Sequence, residues 1–255
     1  VFDAMKAGAV DFVAKPQVTE REQLRNFLCS ELPVKIKVAS TARVSRYKKP
    51  VAFAADQHLS VRSDIDIIAI GASTGGTEAI AEVIRDFSTD IPGTVIVQHM
   101  PPGFTEMYAN RLDSQSRVKV KEAKNGDMVA PGQVLIAPGG SEHMSIVKVG
   151  DNYKVVLKKG EKVNGHCPSV DVLFNSVADV AGAHAIGIIL TGMGGDGAKG
   201  LLKMQKNGAR TIGQDEASCI VYGMPKVAYD IGAVQYQEPL ENIASKIYNI
   251  LNTIP

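Results

Sequence analysis

The chain has 255 residues, 45% hydrophobic and 22% charged, with 28 Lys and Arg against 27 Asp and Glu. This is enough for one large domain or one domain with appendages, and it is a globular composition rather than a disordered or fibrous one. A formal net charge of +1 provides no field suited to nucleic acid or an anionic membrane surface, which leaves specific recognition of a protein or a small molecule. No apolar run approaches the roughly 18 residues of a membrane span, no signal peptide is visible, and three cysteines without a C-x-x-C pair do not make a disulfide framework. A reduced, cytoplasmic protein without membrane insertion is expected.

In chain order, residues 1–16, "VFDAMKAGAVDFVAKP", read as a short helix, a Gly turn and a strand over 11–14. An amphipathic helix fits 19–30, with Leu24, Phe27 and Leu28 on one face. The stretch that follows carries Arg43, Arg46, Lys48 and Lys49, shows no period and reads as a solvated tether. From residue 64 the pattern becomes regular. "IDIIAI" (65–70) is a buried strand and "TEAIAEVIRDF" an amphipathic helix with Ile80, Val83, Ile84 and Phe87 at i, i+3, i+4 and i+7. "TVIVQ", "AIGIIL" and "ARTIGQ" are further strands, and "GFTEMYANRL", "AKGLLKMQKNG" and "ENIASKIYNIL" are helices. Short alternating runs over about 117–160 predict an antiparallel hairpin excursion. The fold class expected is α/β: a doubly wound, mostly parallel sheet flanked by helices.

Two Gly-rich turns could carry chemistry. "GASTG" (71–75) fits G-x-S-x-G between a strand and a helix, the setting of a nucleophilic serine at Ser73. It reads equally as a βα turn with a serine cap or a phosphate loop. "GMGGDG" (192–197) spells G-x-G-x-x-G through Gly192, Gly194 and Gly197, with Asp215 and Glu216 about 20 residues on, which suggests a dinucleotide site. Asp196 contradicts that suggestion, because its carboxylate would repel a pyrophosphate.

A nucleophilic serine needs a base, and of five histidines His99 directly follows the strand "TVIVQ". Ser73, His99 and Asp196 all follow strands, so a parallel sheet delivers them to one edge. The order Ser…His…Asp differs from those of the three familiar triads, which points to a serine hydrolase of separate topology.

These residues, with "IGASTGGTEAI", "VQHMPPGFT", "APGGSEHM", "PSVDVLFNS" and "TGMGGDGAKGL", resemble the catalytic domain of the chemotaxis protein-glutamate methylesterase (CheB) family. "AGAVDFVAKP" resembles the end of a response-regulator receiver domain, with Lys15 at the place of its active-site lysine. The implied layout is a receiver remnant at 1–16, a linker at 17–63 and a methylesterase domain at 64–255. The resemblance implies hydrolysis of γ-methyl esters of glutamate on the cytoplasmic helices of chemoreceptors, with release of methanol, and deamidation of particular receptor glutamines. It makes Ser73 the nucleophile, His99 the base and Asp196 the orienting acid, with Thr74 and the Met193 N–H as oxyanion or active-site neighbours. No metal or organic cofactor is required, and the upstream partner is a histidine kinase acting through the receiver. In the family the unphosphorylated receiver covers the active site; with no acceptor Asp in this chain, constitutive activity is the expectation. Met100 and Phe104 could line a groove for a receptor helix, and for Phe104 core packing is as good a reading. Cys167 stands where the family commonly has Arg, so no ionic substrate contact is expected there, and Asp171 is read as starting a helix.

Overall fold

Ile67, Ile68, Ala69 and Ile70 are all fully buried, although side chains along a strand alternate between opposite faces. Both faces must therefore be covered. Ile68 and Ile70 enter one apolar layer, while Ile67 and Ala69 enter another. The computed structural model describes residues 1, 4–5, 7–13, 24–25, 27–42 and 63–253. Its strands are β1 (Ile67–Ala72), β2 (Gly93–Gln98), β3 (Lys119–Glu122), β4 (Met128–Val129), β5 (Gln133–Ile136), β6 (Glu142–Val149), β7 (Asn152–Lys159), β8 (Ala185–Ile189), β9 (Arg210–Gln214) and β10 (Tyr236–Glu238). Its α-helices are α1 (Leu32–Thr41), α2 (Gly76–Arg85), α3 (Phe104–Asp113), α4 (Val170–Ala181), α5 (Ala198–Lys206), α6 (Met224–Asp230) and α7 (Leu240–Thr253).

Seven strands form one parallel sheet in the order β10-β9-β8-β1-β2-β5-β3. Helices α2, α3 and α7 cover one face through Ile80, Ile84, Tyr108, Leu112, Ile243 and Ile247. Helices α4, α5 and α6 cover the other with the β6–β7 hairpin, through Phe174, Leu201, Met224 and Tyr153. The doubly wound α/β class is the one read from the sequence. The chain leaves β1 toward β2 on one side of the sheet and later leaves β8 toward β9 on the other. The β1/β8 boundary is therefore the topological switch point, where open α/β sheets form their ligand crevice.

The structure alters three expectations. Within 117–160 only β4, β6 and β7 are antiparallel, whereas β3 and β5 lie parallel in the main sheet. Val134, Leu135 and Ile136 are buried on both faces, as an interior parallel strand requires. The half-exposed edge strand β3 alternates like a hairpin strand and so imitates one in sequence. Of the amphipathic helix expected at 19–30, the described residues are helical at 24–25 and lie in a π-helix at Phe27–Glu31, which α1 follows, so helix occupies part of the expected tether. Residues 11–13 join no strand among the described residues. Lys15 and the basic cluster at 43–49 lie outside the described residues.

Candidate active site

Register fixes the first two residues. Ala72 pairs with Gln98 across β1 and β2, so Ser73 and His99 leave the sheet side by side. The His99 N–H donates to the Ala72 carbonyl at 3.1 Å, and the Ser73 N–H donates to the Thr191 carbonyl at 3.0 Å. The Gln98 amide Nε2 donates to the carbonyls of both Ser73 (2.9 Å) and His99 (3.1 Å), which ties the two turns together. A Cβ at Gly192 would come within 2.8 Å of Ser73 Cβ, so the loop after β8 can press against Ser73 only because residue 192 is glycine.

Asp196 meets His99 from that loop. His99 Nε2 lies 2.9 Å from Asp196 Oδ2, with the two side chains 8% and 1% exposed. Since the carboxylate can only accept, Nε2 carries the hydrogen and the imidazole lone pair sits on Nδ1. Nδ1 is buried and has no hydrogen-bond partner among the described residues. His99 and Asp196 are thus bonded, while Ser73 adjoins His99 through register and lines with it a cleft of about 460 Å³.

The carboxylate is fixed by four further donors. Oδ1 accepts from Asn164 Nδ2 (2.8 Å), Ser169 Oγ (2.7 Å) and the Asp171 N–H (3.2 Å), and Oδ2 accepts from the Val170 N–H (2.7 Å). The two backbone donors are the first N–H groups of α4, which a helix leaves unsatisfied. Ser169 is the N-cap but makes no capping bond of its own. Its hydroxyl goes to Asp196, and Asp196 caps the helix in its place. This approach requires Gly71 and Gly197, since a Cβ on either would come within 2.2 or 2.4 Å of Val170 Cγ1.

Asn164 and His166 come from one tight turn. Val163 and His166 exchange two backbone hydrogen bonds of 3.0 Å, and the residues between them, Asn164 (φ 53) and Gly165 (φ 84), are both left-handed. That is the Asn-Gly signature of a type I′ hairpin turn. The Asn164 amide divides its two hydrogens between Asp196 and Asp171 Oδ2 (2.7 Å), separating two buried carboxylates. The His166 ring stacks on His99, with centroids 3.7 Å apart and planes 8° from parallel. His143 supports the segment by accepting the Ser169 N–H at Nδ1 and bonding the Glu161 carbonyl through Nε2.

The titration of these groups follows from their surroundings. Burial works to raise the Asp196 pKa, but hydrogen bonds from His99, Asn164 and Ser169 outweigh it and hold the carboxyl well below the usual range. Burial and the neighbouring His99 push His166 down to about 4, and burial and Asp196 push Asp171 up. Burial also raises the Cys167 thiol, which is therefore neutral at pH 7. Two pH windows result. Between 6.5 and about 4 the unfolded chain binds a proton at His166 that the folded chain refuses, so stability falls as pH falls. The contribution of Asp196 is complete above its unfolded value of 3.8 and is lost only as pH drops through its depressed folded value. His166→Phe is expected to flatten the pH 4–6.5 slope of urea-unfolding stability by up to one proton while leaving the more acidic loss in place.

The remaining expectations can be located. Thr74 and Met193 line the cleft, and neither N–H enters a hydrogen bond among the described residues. Met100 is buried at the cleft wall, whereas Phe104 packs on the core and against Phe12 at 4.8 Å. Asp171 lies in the first turn of α4, as read, and also accepts the Gly200 N–H at 2.6 Å. The dinucleotide reading fails here: Gly197 caps α5 in a left-handed conformation, but the Asp196 carboxylate lies in this loop. Asp215 is spent on a local turn, accepting from Ser218. Met5, Asp11, Phe12, Val34, Lys35 and Val38 line the same cleft, with Lys35 Nζ bonded to Asp11 Oδ2 (2.8 Å) and the Phe12 carbonyl (3.0 Å). The chain that precedes the sheet therefore contributes a wall to the cleft.

Comparison with known proteins agrees with this geometry. A family model described as CheB methylesterase matches residues 68–247. A protein-glutamate methylesterase/protein-glutamine glutaminase 2 of Syntrophomonas wolfei is 58% identical over 254 residues, all of this chain and 74% of the relative. A protein-glutamate methylesterase/protein-glutamine glutaminase of Sulfurimonas denitrificans is 50% identical over 98% of this chain and 73% of its own. The crystal structure of the Thermotoga maritima CheB methylesterase catalytic domain superposes with a TM-score of 0.71 at 38% identity, covering 73% of this chain and 98% of that one. The chain belongs to the CheB methylesterase family.

Proposed function

We propose that this chain hydrolyses γ-methyl esters of glutamate on the cytoplasmic helices of chemoreceptors, and deamidates receptor glutamines, with Ser73 as nucleophile, His99 as base and Asp196 as orienting acid. The observation that carries the reading is the His99–Asp196 bond beside a serine held in register, in a chain whose relatives bear both activities in their names. His99 Nδ1 takes the Ser73 proton as Oγ attacks the ester carbonyl carbon, and the imidazolium is stabilised by the Asp196 carboxylate. The oxyanion is received by the Thr74 N–H, just ahead of the positive end of α2, and by the Met193 N–H from the loop after β8. Collapse returns the proton to the departing methoxide and leaves an acyl-enzyme. Water, deprotonated by His99, then releases the glutamate carboxylate and regenerates Ser73. For a glutamine the leaving group is ammonia.

The division into a receiver remnant (1–16), a linker (17–63) and a methylesterase domain (64–255) belongs to the same reading, as do a histidine kinase acting through the receiver and a cytoplasmic location. Among the described residues no helix is long and apolar enough to cross a membrane. A fluorophosphonate probe tests the nucleophile. One adduct is expected on the peptide containing Ser73, lost in Ser73→Ala and slowed at least 100-fold in His99→Ala. Labelling of another serine, or none, would refute the assignment.

A further inference from the structure

We propose that His166 is a positioning residue for the base: its ring lies flat on one face of His99, fixes the plane of that imidazole, and offers it a neutral π-surface when it becomes positively charged. The inference rests on the reading of His99 as base. Its own support is geometric. At 3.7 Å and 8° the two rings are in face-to-face van der Waals contact, whereas Asp196 grips His99 only at its edge. An edge contact alone leaves the imidazole free to rock about the Nε2···Oδ2 line, and a parallel ring removes that freedom.

His166 is placed to do this before any substrate arrives. Its backbone is closed in the Asn-Gly turn by two hydrogen bonds to Val163. The turn is anchored through Asn164 to the same Asp196 carboxylate that His99 uses. One turn thus fixes the orienting acid through one residue and the base through another, so the two cannot shift independently. Burial keeps His166 neutral around pH 7. A neutral aromatic face attracts a neighbouring cation, which favours the charged state that His99 reaches only during the reaction.

A series at position 166 tests the proposal. His166→Ala is expected to lower kcat for methanol release about 10- to 100-fold with KM within about twofold. His166→Phe, which keeps a flat ring, should stay within about threefold of wild type, and His166→Leu, which fills space without a π-face, should fall near alanine. Exchange of the His99 Nε2 proton with water, followed by NMR as the downfield imidazole resonance, should accelerate in the Ala and Leu variants and not in Phe. This readout needs no turnover, so it judges the stack even if the esterase reading fails. The Phe and Leu pair preserves the comparison should the Ala variant not fold. Phe and Leu behaving alike, or Ala matching wild type in both kcat and exchange, would overturn it.

Discussion

Asp196→Asn is expected to lower methanol release by about 10⁴-fold and to destabilise the fold by roughly 3 kcal/mol or more. Asp196 accepts from five donors: His99 Nε2, Asn164 Nδ2, the Ser169 hydroxyl and the N–H groups of Val170 and Asp171. An asparagine has one oxygen and one NH2, so either orientation sets an N–H against at least two of these donors in a site that is 1% exposed. If the amide hydrogens face His99, Nε2 must become the acceptor and Nδ1 the protonated nitrogen, which leaves no lone pair for the serine. If they face Asn164 and Ser169, the Asn164 amide and the Asp171 N–H at the start of α4 lose their acceptor. Stability and activity therefore fall together, unlike at Ser73. Urea unfolding and steady-state kinetics on the same preparation measure both. A variant with an unchanged unfolding midpoint and activity within tenfold of wild type would contradict this account of the carboxylate.

The frame of the site was legible because it depends on strand ends. Ser73, His99 and Asp196 each follow a buried apolar run, and a parallel sheet brings such positions to one edge whatever the intervening sequence. The parallel strands were readable from runs such as "IDIIAI", in which two-sided burial removes the usual alternation. The support of the triad was not legible, because it depends on where a hairpin turn and a helix start meet in space. Asn164-Gly165 is a strong local turn signal, but nothing in the sequence says that this turn lies against Asp196. Ser169 with Asp171 two residues on marks a helix N-terminus, yet its hydroxyl is diverted to a carboxylate 27 residues away.

The misreadings have the same origin. Edge strand β3 alternates in exposure and looks like part of a hairpin, although its partner β5 runs parallel to it. The glycines of "GMGGDG" suggested room for a pyrophosphate. Of these, Gly192 makes room for Ser73 and Gly197 for Val170, and both close approaches hold Ser73 and Asp196 in place.

The most direct test of the central claim is methanol release from methylated chemoreceptor membranes by wild type and Ser73→Ala, measured side by side. The substitution removes one oxygen and keeps the backbone bonds from Ser73 to Thr191, Gly76 and Gln98, so the variant should unfold at the wild-type urea concentration. Wild type is expected to release methanol stoichiometrically with new glutamate carboxylates, and Ser73→Ala to be slower by on the order of 10⁶-fold in kcat. Equal release by a folded Ser73→Ala, or none by wild type, would contradict the assignment of this cleft as a serine esterase.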